Sequence, residues 1–103
     1  MASNNWSQRE IEIAVHKYLH MFCLEQMGAN YTKAEIHREL ASSALCKRSV
    51  GSVERRMSNI SAVLDSMGYS YLRGYKPLIN VGTNVTSMIE SAINQYVLSV
   101  AEV

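Results

Sequence analysis

The chain is short of the residues that break helices or staple loops. One proline and five glycines in 103 residues leave little material for a long linker. Its two cysteines, Cys23 and Cys46, form no CxxC pair and share no short spacing, which argues against a cysteine-based metal knuckle. No apolar run approaches the roughly 18 residues of a membrane span, and no signal-peptide pattern is present. A reduced, cytoplasmic protein without a membrane partner is therefore expected, and the sequons Asn59-Ile60-Ser61 and Asn84-Val85-Thr86 are read as chance. Charge is sparse too. Charged residues are 18% and the formal net charge is +1, so there is no global basic field. What is abundant is ordinary globular material: 48% hydrophobic residues, which argues against disorder. The length leaves room for one domain, residues 1–103.

The apolar spacing predicts a mainly α fold of four helices, three with recognisable starts. Ser7-Gln8-Arg9-Glu10 is a capping box, with Trp6 placed to staple onto Ile11. The stripe Ile11, Ala14, Val15, Tyr18, Leu19 and Phe22 carries that helix to about Met27, before Gly28. A second capping box, Thr32-Lys33-Ala34-Glu35, opens a short helix to about Ser43, burying Ile36, Leu40 and Ala44. Residues 47–51 show no periodicity and read as a turn. Ser52 then caps a third helix whose face is Val53, Met57, Ile60, Leu64 and Met67, ending at Gly68. Tyr69, Tyr71, Gly74, Tyr75 and Pro77 suggest an extended, wing-like segment over residues 69–80. From about Asn84 the last helix carries Val85, Met88, Ile89, Ala92, Ile93, Tyr96, Val97 and Val100. It stays apolar to its final residue, as expected of a piece of a longer protein or of a helix that packs on a partner.

Catalytic chemistry finds little footing. His16 and His20 share a helix face and offer half of a metal site, but Lys17 stands where a zinc-protease glutamate would follow the first histidine. Cys23 lies on the same helix with nothing to activate its thiolate. No GxSxG elbow, glycine-rich phosphate loop or paired carboxylates appear. No enzyme, metal or cofactor is expected.

Binding is better supported, because the sparse charge is unevenly placed. Between residues 47 and 76 stand Lys47, Arg48, Arg55, Arg56, Arg73 and Lys76 against Glu54 and Asp65, a local +4 that leaves −3 for the remainder. The succession of helix, basic turn, capped helix and basic extended segment reads as a helix-turn-helix-like core. On its third helix Arg55, Ser58 and Asn59 lie opposite the apolar face, and arginine and asparagine are the side chains that bond guanine and adenine bidentately. Lys47, Arg48, Ser49, Ser52, Arg56, Arg73 and Lys76 would then hold phosphate. A solvated amphipathic helix is the plainer reading, and the connection exceeds the 3–4-residue turn of the standard motif.

Residues 47–54 (KRSVGSVE), 59–64 (NISAVL), Gly68 and Gly74-Tyr75-Lys76-Pro77 resemble the N-terminal module of bacterial HNH-nuclease and restriction-type proteins. Trp6, Tyr18 and residues 31–35 fit that likeness as well, so it covers most of the chain. It implies a DNA-targeting accessory domain of a defence nuclease, one that senses modified DNA, with the nuclease linked and lying outside this chain. The partner expected is double-stranded DNA. The competing expectation is a protein-interaction module, either a homodimer or a small inhibitor that docks through the last helix, with six methionines as adaptable contact material.

Overall fold

The computed structural model describes residues 6–101, and side chains through Leu98. It contains α1 (Gln8–Gln26), α2 (Lys33–Ser42), α3 (Val50–Ser66) and α4 (Thr83–Ala101), with no strand among the described residues. The mainly α, four-helix class expected from periodicity is the class observed. Helix α1 packs on α4 and α3, α2 packs on α3, and α3 also meets α4. The expected Val100 contribution to the last stripe lies outside the described side chains.

Local chemistry explains the helix ends. At Ser7 the capping box closes as the sequence predicts: the Glu10 amide donates to Ser7 Oγ at 3.1 Å and the Ser7 amide to Glu10 Oε1 at 2.9 Å. Helix α3 stops in a Schellman turn. Gly68 takes φ +85°, its amide donates to the Asp65 carbonyl, and the Tyr69 amide reaches back to Leu64. Any other residue would be strained there, which is why glycine stands at this point.

Two predicted starts need correction. Thr32 precedes α2 but its side chain makes no cap bond. Its backbone, φ −118° and ψ 113°, departs from the φ near −76° and ψ near 161° shared by the capping Ser7 and Ser49. In α3 the cap is Ser49 rather than Ser52, for Ser49 Oγ accepts from the Ser52 amide at 3.1 Å. Residues 50–52, expected as turn and cap, are the first turn of the helix. Gly51 sits there with open space around it and is tolerated so near a helix start.

The core joins Ile11, Val15, Tyr18 and Met21 of α1 to Val53, Met57, Ile60 and Leu64 of α3 and Ile89 and Ile93 of α4. Leu45 in the α2–α3 connection is fully buried where Ala44 was expected, and Ala44 is exposed. The segment expected as a wing, residues 69–80, lies in an irregular strap, residues 69–82, laid back against the bundle. Leu72 and Tyr75 drive it inward, both 1% exposed.

Candidate nucleic-acid interface

The strap is held by polar groups that the core buries. Tyr18 accepts the Leu72 amide at 2.8 Å on its hydroxyl oxygen, and the same hydroxyl is hydrogen-bonded to Ser61 Oγ at 2.6 Å. Further along, the Tyr75 hydroxyl meets His37 Nε2 at 2.6 Å, and the Lys33 ammonium lies 4.7 Å over the Tyr75 ring while donating to the Gly74 carbonyl at 2.7 Å. Lys33 crosses so close to Gly74 that a Cβ there would meet its ammonium at 2.8 Å. At the far end the Leu78 amide donates to the Ser58 carbonyl at 3.1 Å, and Asn59 Nδ2 donates to the Leu78 carbonyl at 2.9 Å. Residues 69–82 are thus tied to α1, α2 and α3 in turn. Burial pushes the Tyr75 hydroxyl well above its ordinary pKa and pulls His37 below its own, so both stay neutral near pH 7.

These contacts divide the cations that the sequence groups together. Arg48 is interior: it forms a bidentate pair with Glu10, Nε to Oε2 at 2.9 Å and Nη2 to Oε1 at 2.8 Å, with side chains 12% and 16% exposed. That hydrogen-bonded guanidinium holds the Glu10 carboxyl down to about 2. Arg56 faces the same indole as Arg48, their guanidinium carbons 4.9 and 5.2 Å from the Trp6 ring. It donates to Asn59 Oδ1 at 3.0 Å, its buried Nε has no partner among the described residues, and burial lowers its pKa. Both were expected at phosphate; both serve the interior around Trp6, because indole faces attract guanidinium groups and Glu10 supplies the countercharge.

The base-edge set divides likewise. Asn59 is 5% exposed and spends both ends of its amide on Arg56 and Leu78, so it presents nothing to a groove. Ser58 is half-buried beneath the strap, and Arg55 alone of the three is fully exposed. Ser49 Oγ is occupied as the helix cap, and Ser52 is half-buried in the first turn. Lys47, Arg55, Arg73 and Lys76 all stand exposed, and among the described residues no carboxylate lies within ion-pair distance of any of them.

Lys33, His37, Tyr18 and Ser61 were not among the expected site residues. The one sequence signal was the spacing of Lys33 and His37, four apart and so on one helix face. The His16–His20 face lines a cleft of about 630 Å³ between α1 and α4 with Arg9, Lys17 and Tyr96. The described residues nowhere assemble three His, Cys, Asp or Glu positioned for a metal ion. No described helix is long and apolar enough to cross a membrane. No protein-family model matches the chain, and neither a curated protein nor a solved structure matches it.

Proposed function

We propose that the chain binds duplex DNA without catalysing a reaction on it, as the DNA-targeting module of a restriction-type nuclease. The observation that carries this reading is the sorting of the basic cluster. Two of its six cations are used internally, and the four left exposed without ion pairs are spread over the α2–α3 connection, the start of α3 and the strap. Lys47, Arg73 and Lys76 bind phosphate in this reading, while Arg55 on the exposed side of α3 reads a base edge.

The test is binding of a labelled mixed-sequence duplex across a salt series, for wild type, Arg55→Ala and Arg73→Ala/Lys76→Ala. All three positions are exposed, so the variants should fold normally. Salt-sensitive binding that both variants weaken supports the reading; no binding at low salt sinks it. A second reading, a homodimerisation module, is favoured by Val97 and Leu98 on α4, 43% and 63% exposed, beside an apolar cleft of about 420 Å³ lined by Leu19, Phe22, Leu64, Tyr69 and Ile93. Self-association that survives high salt and is lost in Leu98→Glu is its signature.

A further inference from the structure

The strap and the last turn of α3 frame a cleft of about 440 Å³, lined by Asp65, Tyr69, Tyr71, Arg73, Lys76 and Pro77. Its size falls within the roughly 300–1,000 Å³ of small-molecule clefts. Its polar groups are unspent. Neither the Asp65 carboxylate, the Tyr69 and Tyr71 hydroxyls nor the Arg73 and Lys76 side chains make a hydrogen bond or ion pair among the described residues. An acid and two cations therefore share one cleft without neutralising each other, beside two aromatic rings, one of them 45% exposed at Tyr69. A lone carboxylate next to a DNA-binding face is otherwise a liability, because it repels phosphate.

We infer that this cleft receives one extrahelical nucleotide of the bound duplex. Tyr69 supplies the face on which a base stacks, Arg73 and Lys76 hold the flanking phosphates, and Asp65 accepts from an exocyclic amine. The acid thereby selects cytosine over thymine, whose edge offers an oxygen where cytosine offers an amine. The strap is suited to the task, since Tyr75 and Leu72 lock its inward side chains while Tyr69, Arg73 and Lys76 stay exposed on the same segment. The inference rests on the duplex-binding reading above and assigns it a specific nucleotide site.

Three labelled duplexes of one sequence separate the possibilities: fully paired, with one unpaired cytidine, and with one unpaired thymidine. They are titrated with wild type, Tyr69→Ala and Asp65→Asn, each checked for an unchanged thermal transition. Wild type should bind the unpaired cytidine most tightly. Tyr69→Ala should lose roughly 5- to 150-fold on that duplex, the equivalent of one base–aromatic stack, and far less on the paired one. Asp65→Asn should erase the preference for cytidine over thymidine. Equal affinity for all three duplexes would overturn the cleft while leaving duplex binding intact. Failure to bind any of them would overturn both.

Discussion

Asn59 and Glu10 show at the scale of single residues how the fold reassigns polar side chains. A buried amide that satisfies Leu78 and Arg56 is structural, and removing it leaves a carbonyl and a guanidinium N–H short of partners. Asn59→Ala should cost about 1–3 kcal/mol in urea denaturation while leaving base preference unchanged in the folded fraction. A shifted base preference at full stability would restore Asn59 to the groove. Glu10 gives a pH dependence with a definite sign. Its folded pKa, about 2, lies below the ordinary 4.5, so the pair with Arg48 contributes stability above 4.5 that is lost as pH falls toward 2. Glu10→Gln should flatten acid unfolding over that window. His37 adds to it from higher pH: burial lowers its pKa below 6.5, with Lys33 nearby opposing protonation and Glu54 favouring it, so its contribution is complete above 6.5 and wanes beneath. His37→Phe should remove the part of the decline that begins at 6.5.

At the scale of elements, helix starts and the strap offer separate tests. Ser49→Ala should destabilise by about 1 kcal/mol, whereas Ser52→Ala, inside the first turn, should change stability by less than about 0.5 kcal/mol. The reverse order would move the start of α3 to where periodicity puts it. The strap has no regular structure, yet the amides of Leu72 and Leu78 should resist hydrogen exchange nearly as well as helical ones, since both are bonded inward. Rapid exchange at Leu72 would mean that Tyr18 does not hold it. The same elements show what sequence can convey. The α1 start was legible because Ser7 and Glu10 are three residues apart and serve each other, and most of the core faces of α1 and α3 follow from period, although Met21 and Val63 are buried where Phe22 and Met67 were expected. The α3 start was not, because two serines with equal capping chemistry flank a glycine that imitates a stop. The fates of Arg48, Arg56 and Asn59 depend on Trp6, Glu10 and Leu78, partners that only the tertiary fold brings near. Local composition therefore located the basic cluster but was blind to which members the interior takes.

At the scale of the whole molecule, a net charge of +1 means that the proposed duplex affinity would depend on a handful of placed cations rather than on a general field. Three phosphate-reaching side chains, Lys47, Arg73 and Lys76, predict a slope of log K against log salt of about −2.7, and Arg73→Ala/Lys76→Ala should reduce its magnitude by about 1.8. A slope unaffected by that variant would remove the strap from the interface. The packing around Trp6 carries a consequence of another kind. It is the sole tryptophan, 3% exposed, immediately ahead of α1, with guanidinium groups from the α2–α3 connection and from α3 beside its ring. Its emission is thus an internal spectroscopic gauge of whether α1 and α3 are docked, blue-shifted and shielded from iodide while they are. Docking of the two helices can thus be read from this one residue, while a label on the duplex reports ligation separately in the same cuvette.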